Sequence, residues 1–145
     1  MKCLYGCNGF GRRFSCPPYT PTPAETQNVL DDYHQTILIR FDGDIGETTP
    51  ERLVSREMTR YVQTVMFDTE AMAFADGFYK AFGYTGHQCG WCGSCCAKLE
   101  GYVATDCKNR RNMRPSMEAA GIDVYATCAR AGLELDVLEC ILVPG

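Results

Sequence analysis

Gly86-His87-Gln88-Cys89-Gly90-Trp91-Cys92-Gly93-Ser94-Cys95-Cys96 is the stretch on which the fold turns. It has neither the 3.6-residue period of an amphipathic helix nor the alternation of a half-buried strand. The pattern stays aperiodic as far as Asn112, and residues 86–112 hold five cysteines. A segment with no apolar face is not ordered by packing, so its order must come from what its thiols bind. Cys89-x2-Cys92-x2-Cys95 lets successive thiolates turn inward around one small object while the intervening amides also face it. A cubane cluster needs four thiolates at roughly tetrahedral corners, and this stepping, as in bacterial ferredoxins, supplies three. Cys107 and Cys16 compete for the fourth corner. Cys107 is near in sequence and is preferred; Cys16 precedes Pro17 in the Cys-Pro order that ends ferredoxin ligand runs. Gly90 and Gly93 are expected to bring the backbone close to the sulfides.

Two other chemistries fit parts of this stretch. Zinc also accepts four thiolates, so spacing alone does not separate it from an iron–sulfur cluster. His87 is a candidate zinc ligand. Trp91-Cys92-Gly93-Ser94-Cys95 imitates a thioredoxin-like redox motif, but that motif belongs at a strand end that opens a helix. Here Cys89, Cys96 and the glycines surround it instead.

Towards the N-terminus a second group appears, Cys3-x3-Cys7-x8-Cys16. The segment from Met1 to Tyr19 carries Gly6, Gly9, Gly11 and Pro17-Pro18, and is expected to be irregular unless anchored from outside. Pro17, Pro18, Pro21 and Pro23 suggest an extended, polyproline-like path. Three thiols in such a segment point to a second metal or cluster: an iron–sulfur cluster with a fourth ligand such as Cys96 or with one iron left open, or a zinc site completed by a histidine or another cysteine. Arg12 and Arg13 lie between Cys7 and Cys16, and Lys108, Arg110, Arg111 and Arg114 follow Cys107. Cations there favour the reduced state of an anionic cluster, and would also suit an acidic partner or a phosphate.

The frame around these groups is ordinary. The chain has 145 residues, 46% hydrophobic and 22% charged, which suits one domain spanning residues 1–145. A formal net charge of -4 gives no global basic field for nucleic acid. No apolar run reaches the ~20 residues that span a bilayer. The opening residues lack the apolar core of a signal peptide, which points to the cytoplasm. Ten cysteines fall just under the roughly 8–10% that marks a disulfide scaffold, and in a reducing compartment they suggest metal ligands or redox groups.

The elements are predicted as follows. Thr22-Pro23-Ala24-Glu25 carries a capping box and opens a helix to about Tyr33. Ile37, Leu38 and Ile39 mark a strand over residues 35–41. Thr49-Pro50-Glu51 opens a long helix whose stripe of Val62, Val65, Met66, Met72 and neighbours reads as core, breaking near Gly77. Phe78 to Tyr84 reads as a strand, Pro115 to Ala120 as a short helix, and Asp123 to Ala131 as a capped helix stopped by Gly132. Val137 to Val143 reads as a last strand. Cys128 and Cys140 fall on inward positions as small hydrophobes. The fold expected is α+β, a few-stranded sheet with helices packed on it and cysteine-rich metal-binding loops.

Cys16-Pro17-Pro18-Tyr19, Gly77-Phe78-Tyr79-Lys80-Ala81, the Cys89–Cys95 run, and Arg114-Pro115-Ser116-Met117-Glu118-Ala119-Ala120-Gly121-Ile122-Asp123-Val124 together resemble a prokaryotic family of predicted metal-binding proteins of unknown function. The resemblance covers nearly the whole chain. It implies that Cys3, Cys7, Cys16, Cys89, Cys92, Cys95 and Cys107 bind metal, and leaves Cys96, Cys128 and Cys140 outside the pattern. The stretch before Cys3 is short against that pattern, as in a trimmed N-terminus. Arg114 with Glu118 is expected to anchor the loop carrying Cys107. The leading expectation is a [4Fe–4S] protein in electron transfer, serving a redox partner or a larger enzyme. The alternatives are a structural zinc-binding interaction module, and an enzyme whose three-cysteine cluster keeps an open iron as Lewis acid.

Overall fold

Thr22 begins a helix as its sequence dictates. Its hydroxyl accepts from Glu25 N at 3.3 Å, the Glu25 carboxylate accepts from Thr22 N at 2.8 Å, and Pro23 takes the first turn. In the computed structural model, which describes residues 2–41 and 55–133, this helix is the second of four: α1 (Lys2–Gly6), α2 (Pro23–Leu30), α3 (Arg56–Ala75) and α4 (Val124–Arg130). Short 3-10 turns at Cys96–Lys98, Ala104–Asp106, Arg110–Asn112 and Glu118–Ala120 punctuate the loops.

The expected α+β fold is not what forms. No strand occurs among the described residues; the nearest thing is a one-residue parallel bridge between Thr85 and Ser116. The run over residues 35–41 forms no strand, and Ile37 is 72% exposed. β-branched residues favour strands only where a neighbouring strand gives them a surface to pack on. Residues 78–84 turn at Phe78–Ala81 and then send backbone groups to side chains: Gly83 N donates to Glu70 Oε2 at 2.8 Å. The strand expected at Val137–Val143 and the helix start at Thr49-Pro50-Glu51 lie outside the described residues.

Ser55 caps α3 by accepting from Met58 N at 3.1 Å. The helix ends at Ala75, before Gly77 at φ +97°. Its buried residues are Thr59, Val62, Gln63 and Met66, a single face by helical spacing. The stripe read as core is therefore narrower than expected: Met58, Tyr61 and Met72 are exposed. Two of the four buried residues are polar because this face receives a loop, not another apolar helix. At the C-terminal side, Asp123 accepts from Ala126 N at 2.9 Å, Cys128 is buried, and Gly132 at φ +73° ends α4.

The N-terminal segment also departs from expectation. Lys2–Gly6 is helical, and the rest runs through successive hydrogen-bonded turns as far as Tyr19. The prolines do not make an extended path: Gly11 N donates to Pro17 O at 2.8 Å and Tyr19 N to Cys16 O at 3.1 Å. This folding-back buries Phe14, Ser15 and Cys16. With Val62, Met66, Ala97, Ala119, Ala120 and Cys128 they account for most of a small core.

Candidate metal centre

The cysteine loop is fastened to α3 by its backbone. Arg60 Nη2 donates to Trp91 O at 2.9 Å, and Arg56 and Arg60 both donate to Gly90 O at 3.3 Å. Gln63 works from both ends of its amide: Nε2 donates to Gln88 O at 3.4 Å and Oε1 accepts from Gly90 N at 3.3 Å. Gly90 itself lies against Thr59, where a Cβ would stand 2.7 Å from Thr59 Cγ2. Gly90 was expected to admit sulfide; its close approach is to the helix. On the far side of the loop Trp91 Nε1 donates to Asn112 O at 2.7 Å.

The N-terminal segment clamps the other side. Arg13 Nη1 donates to Cys89 O at 2.9 Å, and Cys89 N donates to Ser15 Oγ at 3.2 Å. Both backbone groups of Cys89 are thus held by residues more than seventy positions away. Ser15 is 1% exposed, so this hydrogen bond is shielded from water and costly to break.

These attachments create one small pocket. Its walls are Cys89, Cys92, Cys95 and Cys107, with Arg13, Phe14, Ser15, Asn109 and Met113. Of the two candidates for the fourth corner, Cys107 lines this pocket and Cys16 stands with Cys3 and Cys7. Cys96 is not one of its walls; its thiol points to Asp106 O at 3.9 Å. Asn109 Nδ2 donates to the Cys92 sulfur at 3.0 Å. The four thiols border one small space. No group of three or more His, Cys, Asp or Glu at single-ion spacing occurs among the described residues, and a lone zinc would need each sulfur about 2.3 Å away. Burial pushes the Cys89 thiol up, and the charges of Cys107, Cys92 and Cys95 push it further.

Four thiols with one cation, one amide donor to sulfur and the apolar Phe14 and Met113 in the wall fit a thiolate-held group. Thiolates select zinc and iron–sulfur clusters among biological metals. A sulfur-bound cluster is anionic, and Arg13 and the Asn109 amide both offset negative charge there.

The N-terminal thiols form a separate group. A Cβ on Gly9 would stand 3.2 Å from the Cys16 sulfur, 3.5 Å from the Cys7 sulfur and 3.1 Å from Gln88 Oε1. Gly9 N donates to the Cys7 sulfur at 3.4 Å. Cys3 is near enough for its charge and that of Cys7 to act on each other. Burial raises the Cys16 thiol to about 11, against the opposing hydrogen bond from Ser15. Glu118 faces Cys3 and His87, and burial holds the His87 ring below its ordinary value despite that carboxylate.

Arg114 anchors its loop, but through Glu70 of α3, not through Glu118 as expected. Arg114 Nε donates to Glu70 Oε2 at 3.1 Å and Nη2 to Glu70 Oε1, while Nη1 donates to Arg111 O and Met113 O at 3.0 Å each. The guanidinium lies 4.5 Å from the Phe67 ring centre and 5.0 Å from that of Phe82. Sequence reasoning missed Arg13 and Ser15 as clamps, and Arg56, Arg60 and Gln63 as loop supports. Only the polar side chains on an otherwise apolar helical face hinted at the last.

No helix among the described residues is long and apolar enough to cross a membrane. No curated protein and no solved structure matches the chain. A family model described as "Predicted metal-binding protein (DUF2284)" matches residues 1–141. Nearly the full length of the chain is covered, cysteine groups included, and the chain belongs to this family of predicted metal-binding proteins.

Proposed function

We propose that the protein is an iron–sulfur protein in which Cys89, Cys92, Cys95 and Cys107 hold one [4Fe–4S] cluster. The observation that carries this reading is that these four thiols, from two separate stretches of chain, wall one small pocket. Such a cluster supplies one-electron chemistry when bound. The residues of the chain then have separable tasks. Cys89 is positioned through its own amide and carbonyl by Ser15 and Arg13. Asn109 donates to the Cys92 sulfur, and Arg13 brings positive charge to the pocket wall; both favour the electron-rich state. Phe14 and Met113 supply the apolar part of the pocket wall.

The role that follows is electron transfer, or redox service to a larger enzyme in the cytoplasm. A partner surface is supported by Met72, Phe74, Phe78 and Tyr79, exposed together at the end of α3 and in the turn after it, since clustered exposed apolar side chains mark interaction sites. The test is iron, zinc and acid-labile sulfide per chain after strictly anaerobic purification. Iron and sulfide in equal amounts, about four each for this pocket, are expected of one cubane. Zinc without sulfide would replace the reading with a zinc-stapled interaction module.

A further inference from the structure

A second hollow adjoins the four-thiol pocket and is lined differently. Its volume is about 410 Å³, and Cys107 and Asn109 line both spaces. Lys108, Arg110 and Arg111 bring three cations to it, and Thr105 and Asn112 add neutral polar groups. No aromatic or aliphatic residue is in its wall. The three cations are exposed, and no ion pair engages them among the described residues. Asp106, the one acid between residues 101 and 117, accepts from Val103 N at 2.9 Å and does not line the hollow. The chain as a whole is acidic, with a formal net charge of -4. Here uncompensated positive charge is gathered in a concavity, which focuses the field on an incoming anion.

The hollow is held in shape by main-chain groups. Arg110 N donates to Cys107 O at 3.1 Å and Asn112 N to Asn109 O at 2.9 Å. Trp91 Nε1 donates to Asn112 O at 2.7 Å, and Arg114 Nη1 to Arg111 O at 3.0 Å. None of these bonds uses the side chain of Lys108, Arg110 or Arg111. A site already in shape has little left to order when it binds.

We propose that this hollow binds a small phosphate-bearing anion. Guanidinium groups present forked donors that match phosphate oxygens, and the lysine adds a point charge. Three cations with amide and hydroxyl groups exceed what the two oxygens of a single carboxylate can use. The volume falls in the range of small-molecule sites, about 300–1,000 Å³, and the polar lining selects a charged head over an apolar body. Because Cys107 and Asn109 are shared, the bound anion lies beside whatever the four thiols hold.

The test is calorimetric titration of the full chain, purified anaerobically, with inorganic pyrophosphate. Saturable binding is expected, weakened about tenfold for each arginine removed in R110A/R111A. No binding, or equal binding by the variant, overturns the proposal. R110A/R111A is expected to keep the wild-type metal content and circular dichroism, since neither arginine side chain braces the cysteine loop. Loss of metal together with binding would make the effect structural and overturn the assignment. Should that variant fail to fold, R110K/R111K keeps the charge and loses the forks; weaker binding is expected, and undiminished affinity overturns the proposal. Citrate is expected to bind less tightly than pyrophosphate, and the reverse order overturns the phosphate class. Binding of polyglutamate without any binding of pyrophosphate would replace the small-molecule site with a docking face for an acidic protein. The outcome is separate from the cluster reading: zinc without sulfide would overturn that reading and leave the pyrophosphate result standing.

Discussion

Arg114 shows how much one side chain does where few apolar side chains are buried among the described residues. Its guanidinium satisfies both oxygens of Glu70, two backbone carbonyls and two aromatic faces. The pair is mostly buried, at 13% and 18% side-chain exposure. Removing one member of such a pair strands the other without water, which costs about 3–5 kcal/mol. Arg114→Ala is therefore expected to lower the melting temperature sharply. Arg114→Lys should recover only a minor part, because an ammonium cannot make the bidentate pair or lie flat on two rings. Thermal unfolding followed by circular dichroism checks both, and a lysine variant as stable as wild type would contradict the geometry. At this scale the sequence was partly legible. The arginine was legible as an anchor of the Cys107 loop, but with Glu118 as its partner. Its actual partner was not, because Glu70 is over forty residues away and looks like any solvated helix acid.

Among the elements, α3 and the cysteine loop form one unit. The loop has no apolar period because its contacts with α3 are made by backbone: Arg56, Arg60 and Gln63 take up the polar groups of Gln88, Gly90 and Trp91. Gly90→Ala would drive a methyl group into Thr59 at 2.7 Å. Overpacking of this kind costs about 1–3 kcal/mol, and metal retention should fall with it. Pairing Gly90→Ala with Thr59→Ser, which removes the opposing methyl, should restore both; metal content and melting temperature of the single and double variants decide. Local signals were legible here. Thr22 with Glu25, and Asp123 with Gly132, appear as helix caps and a stop because capping chemistry is contained within a few residues. Strands were misread for the complementary reason. A strand exists only through a partner, and Ile37 to Ile39 and Phe78 to Tyr84 have aromatic and β-branched composition without one among the described residues.

For the whole molecule, the described residues bury only a small apolar set, Phe14, Val62, Met66 and a few alanines among them, and metal binding is therefore expected to contribute to folding free energy. Chelation is expected to release the loop and N-terminal segment before α3 unwinds. The sole tryptophan, Trp91, is tied to Asn112 across the loop. Its emission should shift red on metal removal while most helical ellipticity persists. Simultaneous loss of both signals would show that loop and helix are one cooperative unit. The metal-free chain should also have a distinctive alkaline limit. Its Cys16 thiol is raised from 9.0 to about 11 by burial, so the folded state holds that proton more tightly than the unfolded state. The resulting stability is intact below pH 9 and disappears as pH climbs towards 11. Thermal melts of the metal-free chain across about pH 8–11 check this, and a melting temperature that stays flat over that range would contradict it. The cysteine groups could be read from spacing, but their nearness to each other could not, since it depends on Ser15 and Arg13 meeting Cys89.

That meeting also dictates an order of events during synthesis. Residues 13–15 leave the ribosome long before Cys89, yet they hold both of its backbone groups. The first thiols to emerge must wait, reduced and unclamped, for about seventy more residues to be made. Neither cysteine group can reach its final shape on a nascent chain shorter than that. Neither group is therefore expected to load before Cys89 and the residues that follow it have left the ribosome.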